Sequence, residues 1–442
     1  MHFFKEYLGK TKSSLIVIFC VGAIVINGCK SIEIGLIKRD IKKQVSLDDF
    51  FKSQFTGFCL FDPLTSTYIS EINAENYFNP ASNTKILTML SVLGSHGDSI
   101  PSFAYSQTGN DSLALLPLAD PTFLHPKLNN ESILEKLKKF EKLTLLTPKK
   151  NISPYGPGWA WDDYSYSFQP ERSYYPIYGN VVNITFDSVL LASPSFFNAY
   201  INLIPNDPRR NALYRDLNYN IFNTYINEDS AAFFRTIPFK SSLELYKALV
   251  KDTIPNIIFD AYDNTFFSDT IYSQRTIDVL ATMMKSSDNF LAEQLLIQSG
   301  IINGSWNTDA YRNLLLAKWS SFLSKQPQWY DGSGLSRYNL ITPKSLVEIL
   351  HEIYKQLTFD EIKYIFPVGG ESGTIRNYYK ATIPYVIAKT GTLKNNHCLS
   401  GYLVTASGKI LIFSFMNNHY IGSSHQAKLA MEKLLIRIRD KY

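Results

Sequence analysis

Strand-like segments lie at both ends of this chain, and helices lie between them. Residues 55–61 and 66–72 read as early strands split by Asp62-Pro63. Residues 385–389, 398–405 and 409–417 read as late strands, the last two joined as a hairpin by Ser407-Gly408. Apolar residues at positions 86, 87, 89, 90 and 93 predict a helix over about 80–93, with Asn79 as its cap and Pro80 at its first position. Further helices are expected over 276–285, 290–298, 311–323, 343–354 and 424–439. Strands far apart in sequence with helices between them suggest one α/β domain, an antiparallel sheet flanked by helices. From about 95 to 260 the texture changes to short strand-like runs, such as 181–185 and 232–237, ending in a helix-like stretch at 243–250. A chain of 442 residues exceeds one compact core. The expected division is an α/β domain of 29–94 plus 267–442, interrupted by one or more β-rich accessory domains over 95–266.

The N-terminus bears on location. Lys5, Lys10 and Lys12 precede an apolar run from Leu15 to Ile26, the length of a signal-peptide core rather than a membrane span. It ends in Ile26-Asn27-Gly28-Cys29, which resembles a lipobox with an unusual Asn27. The reading is a signal peptide over 1–28 and lipidation of Cys29, which would hold the protein to a membrane on the periplasmic side of the cell envelope. A cleaved unlipidated signal and a retained anchor are the alternatives, and all three put the folded part outside the cytoplasm. Only Cys59 and Cys398 fall in the folded part, and two buried free thiols are expected ahead of a disulfide. No Cys/His cluster has metal-ligand spacing, so neither metal nor cofactor is expected. The formal charge is +5 without a dense basic run, which gives nucleic-acid binding no support.

Three short motifs carry the chemistry. In Ser82-Asn83-Thr84-Lys85, residues three apart on a helix share a face, so the Lys85 amine reaches the Ser82 hydroxyl. A serine is a poor nucleophile until a base takes its proton, and a desolvated lysine near other cations serves as that base. In Ser287-Asp288-Asn289, between two helices, the hydroxyl suits proton relay to a leaving amine and the Asn289 amide suits a substrate carbonyl. In Lys389-Thr390-Gly391-Thr392, at the end of an apolar strand, Lys389 and Thr390 suit a carboxylate. There Gly391 admits a close substrate backbone, and the Thr392 and Ser82 N–H groups suit an oxyanion hole. Read singly, these are a surface pair, a helix cap and a strand-to-turn transition. Together, in this order, they match the motif set of β-lactamases and penicillin-binding proteins.

With Pro80-Ala81 ahead of Ser82, Asp120-Pro121-Thr122, Gly158-Trp159-Ala160-Trp161-Asp162-Asp163, the stretch Asp331 to Arg337, and Gly373-Thr374, the chain resembles the low-molecular-mass class C penicillin-binding proteins, D-Ala-D-Ala carboxypeptidases and endopeptidases. The interval of about 200 residues between Lys85 and Ser287 also fits that family and not simple class A β-lactamases. The resemblance implies a transpeptidase/β-lactamase-like domain with nested β-rich inserts. It implies peptidoglycan stem peptides and cross-links as substrates, with β-lactams as covalent inhibitors. Ser82 would form the acyl-enzyme, Ser287 would pass a proton, Asn289 would hold the acylated stem, and Lys389 with Thr390 would hold the terminal carboxylate. Asp162 or Asp163 would meet the free amine of a diamino acid in the stem.

Two other readings share the fold. A β-lactamase would deacylate fast; its class C form has Tyr-x-Asn as the middle motif, a pattern that recurs here, as in Tyr178-Gly179-Asn180. A non-catalytic penicillin receptor or wall-binding lipoprotein would keep the motifs without turnover.

Overall fold

The computed structural model describes residues 35–128, 131–148, 150–204, 213–226, 232–262 and 267–442. The leader and Cys29 lie outside these residues.

Both chain ends do meet in one sheet. Its strands are β1 (Phe55–Asp62), β2 (Thr67–Ile72), β3 (Val386–Leu393), β4 (Asn396–Val404) and β5 (Ile410–Asn418), in the order β3-β4-β5-β1-β2. Every neighbouring pair is antiparallel. Alternate side chains of β1 go to opposite faces, as the two-residue period of a strand requires. Cys59 and Phe61 join a core with helices α1 (Lys85–Leu93), α2 (Thr276–Ser286), α3 (Asn289–Ile302) and α4 (Pro343–Gln356). Phe58 and Leu60 join a second core against the C-terminal helix α5 (Ser424–Lys441), through Met431, Leu435 and Ile438. With both faces covered, β1 is buried from Thr56 to Asp62, and each large apolar side chain so buried contributes roughly 1.5–3 kcal/mol.

β3 extends further than its sequence suggested. The expected strand stops at Lys389, whereas the ladder to β4 runs on to the Leu393–Asn396 pair and takes Thr390, Gly391 and Thr392 into the strand. β3 is an edge strand. The chain at 367–369 covers the first part of its outer edge, with Ala388 N–H donating to Pro367 O at 3.0 Å and Gly369 N–H to Val386 O at 2.8 Å.

The intervening region has its own core and is not purely β. A five-stranded sheet runs in the order Ile257–Ala261, Lys142–Thr147, Ser112–Pro117, Ser99–Gly109, Asp269–Arg275. Ser112–Pro117 and Lys142–Thr147 are parallel, and the helix Glu131–Lys138 lies between them in sequence, the crossover that a parallel pair needs. The helix Leu243–Thr253 packs on this sheet through Leu249 and Val250. Among the described residues, two three-stranded sheets also belong to the region. Asp269–Arg275 pairs with Ser99–Gly109, so the chain leaves and re-enters the α1–α2 layer on adjacent strands.

Cys59 on β1 and Cys398 on β4 are buried free thiols. They sit opposite Ser414 and Met416 of the intervening β5, which keeps them apart.

Candidate active site

Ser82 lies in a tight turn rather than inside a regular helix. Residues Ala81–Thr84 form a 3-10 turn, and α1 begins only at Lys85. Ala81 has a φ of 47°, a left-handed conformation, so the turn after Asn79 is not a regular first helical turn. The Asn79 side chain accepts the Ala81 N–H at 3.0 Å, the bond expected of a cap, and donates to Arg337 O at 3.2 Å, while the Thr84 hydroxyl donates to Ala81 O at 2.8 Å. Two glycines clamp the turn. A Cβ on Gly391 would lie 2.3 Å from Pro80 O and 3.0 Å from Ser82 N; one on Gly334, where φ is +85°, would lie 1.9 Å from Ala81 O. At Gly391 the backbone that comes close to the missing Cβ is the chain's own nucleophile turn.

Lys85 is fully buried one helical step from Ser82. Its Nζ donates to Ser82 Oγ at 3.0 Å, Asn289 Oδ1 at 2.6 Å and Ser333 O at 2.7 Å, which uses all three ammonium protons. Burial lowers its pKa to about 8, against the opposing pull of Asp331, Asp288 and Glu293. Near neutral pH the group thus exchanges readily between ammonium and free amine, and the free amine has a lone pair for the Ser82 proton.

Ser287 closes α2 with a φ of 56°. It is held there by Asp288, which caps α3 through the Leu291 N–H at 3.1 Å and pairs with Lys127 at 3.0 Å. This break aims the Ser287 hydroxyl at Lys389, whose Nζ donates to Ser287 Oγ at 2.9 Å and to Thr390 O at 2.7 Å. Lys389 is also fully buried, and burial with the nearby Lys85 pushes its pKa well down. Two lysines therefore approach the groove from behind, each bonded to one serine hydroxyl.

The remaining expected residues fall around these. The Asn289 amide donates to Phe168 O at 2.7 Å, so the segment reaching in from the intervening region occupies the bond that a substrate carbonyl would take. The Thr390 hydroxyl bonds that of Thr374 at 2.7 Å, and the Thr392 hydroxyl bonds His397 Nδ1 at 2.8 Å. Ser82, Ser287, Asn289, Thr392, Asp163 and Arg337 line one groove of ≈ 380 Å³. Asp163 reaches that groove, and burial with the adjacent Asp162 raises its pKa. Asp162 is exposed and is not among the lining residues. Among the described residues, no group of three or more His, Cys, Asp or Glu is placed to hold a metal ion.

Sequence reasoning assigns no role to Ser333, Glu293, Asp331, Arg337 or Phe168, although positions 331–337 stand out as a motif. Asp331 organises that loop: it accepts the Gly334 N–H at 2.9 Å, the Ser336 N–H at 2.6 Å and the Trp159 Nε1–H at 2.9 Å. Asp120 turns out to be a buried turn residue that accepts the N–H and hydroxyl of Thr122 at 2.8 and 2.7 Å. The Tyr178 hydroxyl bonds Thr253 at 2.7 Å, and Tyr178 does not line the Ser82 groove.

Residues 269–440 match the D-Ala-D-Ala carboxypeptidase 3 (S13) family. The chain is 34% identical over 156 residues to the D-alanyl-D-alanine carboxypeptidase DacB of Haemophilus influenzae, covering 33% of this chain and 32% of that protein, so the match spans about a third of the relative's length. It is 26% identical over 398 residues to penicillin-sensitive carboxypeptidase A of Dictyostelium discoideum, covering 76% of each. Its fold is similar to the crystal structure of penicillin binding protein 4 from Haemophilus influenzae, with a TM-score of 0.68 and 20% identity over 90% of this chain and 98% of the other. The resemblance read from the motifs is thus matched by the comparisons: residues 269–440 fit the D-Ala-D-Ala carboxypeptidase 3 (S13) family.

Proposed function

We propose that the chain is a serine D-alanyl-D-alanine carboxypeptidase and endopeptidase of the bacterial cell wall that works through an acyl-enzyme on Ser82. One observation carries the reading: the Lys85 amine, poised near neutral pH by burial, lies 3.0 Å from the Ser82 hydroxyl oxygen in a groove that also holds Ser287 and Asn289. In the first step Lys85, as free amine, takes the Ser82 proton while Oγ attacks the carbonyl between two D-alanines. The tetrahedral oxyanion is met by the backbone N–H groups of Ser82 and Thr392. As the C–N bond breaks, the proton taken from Ser82 passes from Lys85 through Ser287, whose hydroxyl bonds Lys389 at 2.9 Å, to the leaving nitrogen, which returns Lys85 to the free amine. Lys389 and Thr390 attract the terminal carboxylate, and Asn289 exchanges its bond to Phe168 O for one to the stem peptide. Water then attacks the ester and frees Ser82.

The same reading takes β-lactams as covalent inhibitors, since they present an acylating carbonyl to Ser82. A structural neighbour, a predatory endopeptidase from Bdellovibrio bacteriovorus acylated by penicillin G, has a TM-score of 0.50 and 16% identity over 87% of this chain and 92% of its own. Asp163, within the groove, would receive the free amine of a diamino acid in the stem; Asp162 would act on it only through Asp163. Residues 29–94 plus 267–442 would form the catalytic domain, with 95–266 inserted. Signal cleavage and lipidation at Cys29 would hold the protein at the membrane in the envelope. Release of D-alanine from a muropeptide ending in D-Ala-D-Ala tests the activity. Release that vanishes in Ser82→Ala is the expected result. Covalent capture of penicillin without D-alanine release would make the protein a receptor, and fast clearance of penicillin would make it a β-lactamase.

A further inference from the structure

Behind Lys85 lies a pair of buried carboxylates, Glu293 and Asp331, that do not line the Ser82 groove. Glu293, one helical turn beyond Asn289 on α3, is 3% exposed and accepts the Ser333 N–H at 2.7 Å. The carbonyl of the same Ser333 accepts the Lys85 Nζ at 2.7 Å. A single residue of the 331–337 loop therefore joins the Glu293 carboxylate to the lysine amine. Asp331, 1% exposed, fixes the rest of that loop through the Gly334 and Ser336 N–H groups and the Asn339 amide. The charged groups that face Glu293 are Lys85 from α1, Asp331 from the loop, Arg172 from the intervening region and Arg312 from the helix Thr308–Trp319. Arg172 lies 3.9 Å from Glu293 and is itself held by the carbonyls of Ser153 and Tyr155 at 3.2 and 2.9 Å.

We propose that Glu293 is a positioning residue for Lys85: it fixes the Ser333 carbonyl that holds the amine beside Ser82, and its charge governs how readily that amine gives up its proton. The proposal rests on the reading of Ser82 and Lys85 given above. The geometry supplies the first half, because loss of the Glu293 acceptor frees the Ser333 N–H and with it the carbonyl that aims Lys85. Electrostatics supplies the second, because a carboxylate near a buried ammonium favours its charged form. Burial and the neighbouring Asp331 push the Glu293 carboxyl up to about 7, opposed by Arg172, so its charge responds to pH in the range where Lys85 must work. Arg172 thereby gives the intervening region a route to the catalytic amine.

The test is the rate of Ser82 acylation by a fluorescent penicillin, measured from pH 5 to 10 on the full chain. Glu293→Gln keeps an acceptor for Ser333 and removes the charge, so its profile should move to lower pH by half a unit or more. Glu293→Leu removes the acceptor as well and should acylate at least tenfold more slowly at every pH. A Gln profile that superimposes on that of the parent overturns the proposal, even if the Leu variant fails to fold. Absence of any adduct on the parent overturns the reading of the site, and the proposal with it.

Discussion

The Lys85 Nζ lies 3.0 Å from the Ser82 Oγ, and the lysine has no exposed surface of its own. This pair sets the pH at which the site works. With the Lys85 pKa lowered to about 8 by burial, the free amine is a minority form at pH 7 and half the population near pH 8. Acylation of Ser82 is therefore expected to rise with pH and to level off above about 8. Lys85→Met should lower the acylation rate by roughly 10²–10⁴-fold, the range of general acid–base catalysis. Stopped-flow measurement with a chromogenic β-lactam checks both; a flat profile from pH 6 to 10 contradicts the role of Lys85.

Ser287 stands in a left-handed conformation with a φ of 56°. For a residue with a Cβ this costs roughly 1–2 kcal/mol, and a glycine avoids it. Ser287→Gly and Ser287→Ala both lose the hydroxyl that bonds Lys389, so both should lose most D-alanine release. The Gly variant should nevertheless be about 1 kcal/mol more stable than the Ala variant in urea denaturation. Equal stabilities would mean that the strain is not present in solution.

The clamp on the nucleophile turn makes a second stability prediction. A Cβ at Gly391 meets Pro80 O at 2.3 Å, Asn83 N at 2.9 Å and Ser82 N at 3.0 Å, all of them backbone atoms of the nucleophile turn. Gly391→Ala should cost about 1–3 kcal/mol, the range for overpacking, and should slow acylation by displacing Ser82. Gly408, at the β4–β5 turn with a φ of +83°, has nothing within 4 Å of its missing Cβ. Gly408→Ala should lose about 1 kcal/mol from backbone strain alone and keep its activity. Thermal denaturation paired with penicillin labelling separates the two.

The two aspartates should differ. Asp163 lines the groove and Asp162 does not. Asp163→Asn is expected to lower kcat/KM about tenfold on muropeptides with a free amine on the stem, a value typical of one lost charge contact. It should have little effect once that amine is acetylated. Asp162→Asn should stay close to the parent on both substrates. Kinetics on matched free and acetylated substrates checks this, and equal losses on both would assign Asp163 a structural role.

Local patterns made much of this molecule legible. The apolar stripe after Ser82 and the i, i+3 spacing to Lys85 placed nucleophile and base on one helical face, and the pair is formed. The Ser407-Gly408 turn placed the terminal hairpin correctly, as the pairing from Val404–Ile410 to Asn396–Asn418 shows. What escaped was set by contacts between distant segments. Glu293 and Ser333 are 40 positions apart, and no periodicity links them. β3 runs past Lys389 because its ladder to β4 continues, although Thr390-Gly391-Thr392 alone reads as a turn. Gly391 is explained only by Pro80, brought against it by the fold. The helix Glu131–Lys138 was hidden by its shortness: Ile133 and Leu137 are its buried contacts, too few to stand out among turns.

The central claim is that Ser82 is the nucleophile, and intact-protein mass spectrometry tests it most directly. The parent protein and Ser82→Ala would each be incubated with labelled penicillin, followed by peptide mapping. One adduct of the antibiotic's mass on Ser82, absent from Ser82→Ala, is the predicted result. An adduct that persists in Ser82→Ala, or no adduct with the penicillin left intact, would contradict it.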